Sequence, residues 1–327
     1  MKDLVTPRQV AQAIDMSESS LKRWCDQGLI PTVRTAGGHR RLPVNGVLTF
    51  LRNSGYQLIH PELLGLPPST TGGKNRKLQI ERDRLAQALQ AGDEPVCTEV
   101  VMNLYLAGIS MSTIADDVFT PIFTAIRQQH ATDPATCYHE RRSCEICHRV
   151  LYEVRRAMPE LSPTAPVAIG GTLEGDYYTL GSSLAELVLR ELGWRSCSLG
   201  SSLPFLSLRQ AVCDMRPKLV WMNVAEIPSV EAFRSGFHSL KQTALENGIT
   251  IVCGGKGITS EVEDCLEGVH RLKSFRELEN VAKPISPIPN GSPLPGDDGS
   301  RLPRPQLMPP APNLNPSLLN SSLHREI

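Results

Sequence analysis

A multidomain chain of α and α/β class is predicted by three features of the sequence. Residues 1–55 form a short basic stretch with two capped amphipathic helix patterns. Residues 78–160 lack glycine clusters over long spans and show helical periodicity, with Leu85, Leu89, Val100, Val101, Leu104 and Leu106 marking a bundle of packed helices. Residues 165–282 alternate short apolar runs with helical patterns, the signature of a doubly wound parallel sheet. The 327 residues suffice for two or three such domains. Between the first two lies a linker at 56–77, whose end, PPSTTGGKNRK, is rich in Pro, Gly, Ser and Thr. Residues 283–327 carry prolines too dense for helix or sheet and bury little, so a disordered tail is expected. No internal repeat is visible.

Composition excludes several classes. An apolar share of 40% is that of an ordinary globular protein. No run of about 18 apolar residues exists, so no transmembrane helix and no membrane partner are expected. The start, MKDLVTPRQVAQAID, lacks the features of a signal peptide, which points to the cytoplasm. Nine cysteines in that compartment suggest free thiols or a metal, not a disulfide framework. A net charge of zero hides an asymmetry: residues 1–55 carry eight Lys and Arg against four Asp and Glu. A basic end on a neutral chain suits a phosphate-binding module.

The elements of that basic end follow in order. Thr6 caps a first helix with Pro7 at its first position, and Val10, Ala11 and Ile14 give it an apolar face. Ser17 caps a second helix through Leu21, Trp24 and Cys25, ended by Gly28. Trp24 is expected in the core, packing the helices together. Two short helices so joined make a helix-turn-helix, with Glu18, Ser19, Ser20, Lys22 and Arg23 on the exposed side of the second. Residues 33–34 then pair with 41–42 as a hairpin turning at Gly37 and Gly38. Arg34, His39, Arg40 and Arg41 on this wing would reach the phosphate backbone.

The stretch LVTPRQVAQAIDMSESSLKRWCDQGLIPTVRTAGGHRRLP resembles the MerR family, above all in its R-T-x-G-G-H-R-R wing. The resemblance implies a transcription regulator that binds double-stranded DNA at an inverted-repeat operator as a dimer or tetramer. By position, it makes Ser19, Ser20, Lys22 and Arg23 recognition-helix residues and Arg34, His39, Arg40 and Arg41 wing residues.

In the C-terminal half, strands are expected at 166–170, 195–199, 219–224 and 250–253, with a fifth near 269–272. A helix carrying Leu184, Leu187, Val188 and Leu192 follows the first and ends at Gly193. Doubly wound sheets bind ligands at the carboxyl ends of their strands. This region resembles the cobalamin-binding domain, whose motifs are D-x-H-x-x-G after the first strand, S-x-L after the third and G-G after the fourth. Asp176 and Gly181 keep the first motif, but Tyr178 stands at its histidine. Asn223, Val224 and Ala225 replace the second, and Gly254 and Gly255 keep the third. The preceding helices, from LAQALQAGD through LYLAGISMSTIADDVFTPIF, resemble the helical module of light- and cobalamin-responsive MerR regulators. The Glu-His pair of that module aligns with Cys147 and His148, and its Trp has no counterpart nearby. The resemblance makes Asp176, Tyr178, Gly181, Asn223, Gly254 and Gly255 the cofactor-site candidates. Imidazole is a good neutral ligand for cobalt, whereas a phenol with a pKa near 10 is a poor one. On that ground no bound cofactor is expected, the alternative being cobalamin held without a lower histidine.

Residues 137–148, CYHERRSCEICH, crowd Cys137, His139, Cys144, Cys147 and His148. Thiolate and imidazole together suit zinc or an iron–sulfur cluster, so a metal or thiol sensor in place of the cobalamin sensor is one reading. Buried cysteines lining a helical core are the other. C-x-x-C-H also matches c-type haem attachment, which needs an export signal. Without a catalytic barrel the chain is expected not to be an enzyme. A regulator whose C-terminal half senses a ligand or drives oligomerisation is the main functional reading. A cobalamin-dependent enzyme component and a regulator controlled by assembly alone are the alternatives.

Overall fold

A computed structural model describes residues 3–54, 56, 58–66, 74–133, 135 and 137–285. The tail beyond 285 and residues 67–73 of the expected linker lie outside the described residues.

The N-terminal unit begins with β1 (Leu4–Val5) and α1 (Pro7–Ala13). Thr6 and Gln9 form a reciprocal capping box: the Thr6 hydroxyl accepts from the Gln9 N–H, and the Gln9 amide oxygen accepts from the Thr6 N–H. Helix α2 (Glu18–Asp26) is capped by Ser17, which accepts from the Ser20 N–H at 3.1 Å. Gly28, at φ +75°, lets the chain turn left-handed beyond α2 at no steric cost. Strand β2 (Val33–Arg34) pairs antiparallel with β3 (Arg40–Pro43), Val33 opposite Arg41 and Arg34 opposite Arg40. This register is one residue away from the expected pairing. A tight turn closed by Gly38 N–H to Thr35 oxygen at 2.8 Å shortens the loop, and Leu42 instead pairs with Val5 of β1.

Helix α3 (Val44–Ser54), which the sequence reading did not place, completes the unit by burying Val44, Val47, Leu48 and Leu51. Trp24 is only 8% exposed, its ring 4.9 Å from Phe50 and 5.0 Å from Tyr56. Nor is the segment after α3 a free linker throughout. The Ile59 and His60 N–H groups donate to Ala13, and Pro61, Leu64 and Leu66 are buried, because these apolar side chains have a face of α1 to cover.

Five helical segments follow: α4 (Lys74–Ala91), α5 (Glu94–Leu106), α6 (Met111–Ile114), α7 (Thr120–Thr132) and α8 (Cys137–Ala157). Between α6 and α7 runs a π-helical turn, Ala115–Phe119. Pro121 has no N–H to return to the preceding turn, and the Thr120 hydroxyl bonds the Ala115 carbonyl at 2.9 Å, so the ladder widens here.

The C-terminal sheet has β4 (Val167–Thr172), β5 (Arg195–Ser198), β6 (Leu219–Asn223), β7 (Thr250–Gly254) and β8 (His270–Leu272), all parallel, in the order β5-β4-β6-β7-β8. Helices α9 (Leu180–Glu191) and α13 (Phe275–Ala282) cover one face; α10 (Phe205–Met215) and α11 (Val230–Glu246) cover the other; α12 (Ser260–Glu263) precedes β8. Alternation along the strands separates the two cores: Ala168, Leu219, Trp221 and Val252 join the α9 side, which is continuous with the bundle, and Ile169, Val220, Met222 and Cys253 pack under Phe233, Phe237 and Leu240. This is the doubly wound sheet that the alternating pattern predicts. Strand order reverses between β4 and β6, which opens a crevice at their carboxyl ends.

Candidate functional site

That crevice is an open cleft beneath the bundle. Tyr178 from the loop after β4, Asn223 and Ala225 at the end of β6, and Gly255 and Lys256 after β7 form its floor and rim; Gly181, Leu180 and Leu184 of α9 form a side. Phe119, Phe123 and Arg127 come from the π turn and α7, and Phe275 from α13.

Of the six cofactor-site candidates, Tyr178, Gly181, Asn223 and Gly255 line the cleft. Asp176 stands behind it, 1% exposed. Its Oδ1 accepts from the Tyr178 N–H at 2.9 Å, and its Oδ2 accepts from the Ala225 and Glu226 N–H groups at 2.6 and 3.3 Å. One carboxylate thereby ties the β4 loop to the β6 loop. The Asn223 amide donates to the Tyr178 carbonyl at 3.3 Å, and a Cβ on Gly181 would sit 2.4 Å from Asn223 Oδ1. Gly255, at φ +127°, has the Val224 carbonyl 2.1 Å from where its Cβ would be, so only glycine fits. Gly254 packs against Leu272 at the end of β7 and is not part of the lining.

Two side chains hold Tyr178. The Arg127 guanidinium lies over its ring, 3.9 Å from the centroid, and Arg127 Nε donates to Glu140 at 3.2 Å. The Cys144 thiol donates to the phenol oxygen at 3.6 Å. Burial first, then the neighbouring Cys144, drive the phenol far above its usual range despite Arg127, so it stays protonated. Cys144 is itself pushed up by burial and remains a thiol. Phe119 and Phe123 lie inside the stretch whose resemblance marks the helical module. Arg127, Lys256 and Phe275 carried no recognisable signal, since a lone residue on a helix or loop does not reveal what it faces.

The five Cys and His residues do not form the metal centre that zinc or iron–sulfur would need. Among the described residues no three His, Cys, Asp or Glu side chains gather around a common point. All five lie on α8, where the rise along the axis separates Cys137 from the rest, His139 falls on another face, and the remaining three side chains engage different neighbours. Cys147 is buried in the bundle core, its thiol raised well above the ordinary range by burial. Cys144 faces Tyr178. His148 faces α9, its Nε2 3.0 Å from the Thr179 hydroxyl and its Nδ1 3.2 Å from that of Ser183. His139 packs on the Tyr138 ring at 3.9 Å, and Cys137 opens the helix.

At the N-terminal end, Ser19, Lys22 and Arg23 are exposed on α2. Lys22 pairs with Glu18 at 2.9 Å, and the half-buried Ser20 hydroxyl lies 2.9 Å from Ser17 inside the helix cap. On the wing, Arg34 and His39 are exposed. Arg40 and Arg41 are half-buried, and Arg40 reaches Asp26 of α2 at 2.8 Å, which ties the β2–β3 hairpin to α2.

Residues 4–55 match the helix-turn-helix domain family. Over 207 residues, 62% of this chain, the sequence is 26% identical to the HTH-type transcriptional repressor CarH of Myxococcus xanthus, and the alignment spans 66% of that protein, just under two thirds. It is 19% identical over 176 residues to trimethylamine corrinoid protein 1 of Methanosarcina acetivorans, covering 53% of this chain and 81% of the relative. Among solved structures, the Methanosarcina barkeri monomethylamine corrinoid protein superposes with a TM-score of 0.51 at 16% identity, covering 63% of this chain and 99% of that one. The fold of the C-terminal half is that of a corrinoid protein. These likenesses overturn the expectation of no bound cofactor, which rested on the replacement of one axial ligand by Tyr178.

Proposed function

We propose that this chain is a transcriptional regulator that binds DNA through a MerR-type winged helix-turn-helix and a corrinoid in the cleft at the carboxyl edge of its sheet. The observation that carries this reading is the union, in one chain, of an exposed basic helix and wing with an open cleft at the topological switch point of a corrinoid-protein fold.

The lining fits a broad, flat macrocycle fringed with amides. Phe119, Phe123 and Phe275 offer apolar faces, Gly181 and Gly255 keep side chains out of the floor, and Arg127 and Lys256 supply cations at the rim. The donor set does not include an imidazole at the lower position: the Tyr178 phenol is protonated and already engaged by Cys144 and Arg127. A corrinoid here would be held by packing against Phe119, Phe123 and Phe275, with Arg127 and Lys256 at the rim. When bound, it would supply ligand-exchange and redox chemistry at cobalt. The protein's own part is to hold Tyr178 fixed and to join the two floor loops through Asp176.

On the DNA side, Ser19, Lys22 and Arg23 read base edges, Ser20 serves the cap beside them, and Arg34, His39, Arg40 and Arg41 hold phosphates. Two or four copies on an inverted repeat, acting in the cytoplasm without catalysis, complete the reading. Among the described residues no helix is long and apolar enough to cross a membrane. The corrinoid-protein relatives alone would suit an enzyme component; the helix-turn-helix favours the regulator.

The test is to incubate the full chain with hydroxocobalamin, pass it through gel filtration and record the visible spectrum, with DNA affinity read on duplexes selected from genomic fragments. Retained colour and selective enrichment of particular duplexes are expected. A colourless protein peak refutes the ligand assignment, and enrichment no better than random duplex refutes the operator assignment.

A further inference from the structure

One carboxylate outside the cleft joins three parts of the molecule. Glu191, at the end of α9, accepts through Oε1 from Arg52 Nη2 of α3, in the DNA-binding unit. Through Oε2 it accepts from the Met111 N–H at 2.7 Å, the first residue of α6. Arg52 also donates to the Ile109 carbonyl at 3.3 Å, and its guanidinium lies over the Tyr105 ring, 4.3 Å from the centroid. Both charged side chains are only 17% exposed, so solvent screens this pair far less than an ordinary surface bridge.

The contact leads directly to the cleft. Helix α6 runs without a break into the π turn, whose last residue, Phe119, lines the cleft together with Phe123 one turn further on. A π turn is a place where a helix shifts register with little loss of hydrogen bonding, and such turns are frequent at functional sites. The pair is also imperfectly satisfied: Arg52 Nη1 is buried with no hydrogen-bond partner among the described residues. Undocking would rehydrate that group, so the docked arrangement is held against an opposing cost.

We propose that Arg52–Glu191 is a latch that links the docking of the DNA-binding unit to the position of the α6–π segment that walls the cleft. A shift of that segment moves the Met111 N–H relative to Glu191 and changes the hold on Arg52; a change at α3 acts in reverse, since such coupling is reciprocal. The link from cleft to latch rests on the corrinoid reading above, whereas the link from α3 to α6 does not.

Hydrogen exchange on the full chain tests both. Glu191→Gln keeps an acceptor for Met111 but removes the charge that holds Arg52, and Arg52→Lys keeps charge while losing the fork. In the protein alone, both substitutions should speed exchange of α3 and of residues 109–119 by at least about tenfold, with β4 and β6 unchanged. A mixed-sequence duplex at low salt should alter exchange at 109–119 in the unsubstituted protein and not in Glu191→Gln. Equal responses in both, or none in either, overturn the latch; so does unchanged exchange of α3 in both variants. Hydroxocobalamin forms the last arm. Failure to be retained counts against the corrinoid reading and leaves the duplex arm to decide the latch. Retention with the same exchange response at α3 in both proteins overturns the coupling from the cleft.

Discussion

Tyr178 illustrates how one side chain misleads when read without its neighbours. Its phenol, taken alone, argues against a cobalt ligand. In the fold it is a wall of the cleft, braced by Arg127 above the ring and Cys144 at the oxygen. Tyr178→His would place an imidazole where the phenol stands. The expected outcome is a shifted visible spectrum of bound hydroxocobalamin and slower loss on dialysis; an unchanged spectrum would show that the loop does not aim this side chain at the metal. Asp176 carries a different weight. Three backbone N–H groups depend on its carboxylate, and removing a buried acceptor leaves them unpaired at a cost of about 1–3 kcal/mol each at most. Asp176→Ala should lower unfolding free energy by roughly 3 kcal/mol in urea titration, with Asp176→Asn costing less. His148 adds a pH dependence. Burial lowers its pKa below the usual 6.5, so at and just below that pH the unfolded chain binds more protons than the folded one. Stability should therefore rise with pH through this window and flatten above it. The urea midpoint of His148→Gln, followed from about pH 5 to 7.5, should lose that part of the slope.

At the scale of elements, local chemistry was legible where a single residue decides the outcome. Thr6 and Ser17 fix two helix starts, Gly28 ends one helix, and the apolar runs from 166 onward give the strands their places, because caps and periodicity act within a few residues. Helix α3 is not marked locally because LPVNGVLTFL holds a Pro, an Asn and a Gly that speak for a turn, while its buried face is defined by tertiary packing against β3 and α8 and by the Trp24–Phe50 contact with α2. The wing register slipped by one residue because β1, only two residues long, captures Leu42. The cysteines of α8 have the spacing of a ligand set in the sequence, but along the helix they lie at different heights and pack on different neighbours, Cys144 on Tyr178 and Cys147 in the bundle core. The cleft was half legible: its floor comes from loops carrying a motif and Phe119 and Phe123 from the stretch that resembles the helical module, whereas Arg127, Lys256 and Phe275 are marked by no local pattern. The caps yield their own expectation. Ser17→Ala removes the acceptor for the Ser20 N–H and should destabilise the helix-turn-helix by about 1 kcal/mol, measured by urea unfolding followed at Trp24.

Across the whole molecule, charge is distributed for a task that a neutral total conceals. Eight basic residues against four acidic ones occupy the first 55 positions, so the rest of the chain carries a compensating excess of acid. Under the proposed function, DNA would meet an attractive end on a molecule that otherwise repels it, which would orient the encounter. Several of these cations are not free. Lys22 is shared with Glu18, Arg40 with Asp26, and Arg52 is withdrawn to the latch. Arg34 and Arg41 have no such acidic partner among the described residues, and they should contribute the full effect of counterion release. The logarithm of affinity for a mixed-sequence duplex should fall linearly with the logarithm of salt, and each of Arg34→Ala and Arg41→Ala should reduce that slope by about one, for all duplexes alike. Arg40→Ala should reduce it less, because Arg40 is already paired with Asp26 and brings less than a full positive charge to the phosphates. Fluorescence anisotropy over a salt series separates these outcomes: slopes that stay parallel for all three variants would mean that the wing does not touch phosphate and that binding rests on α2 alone.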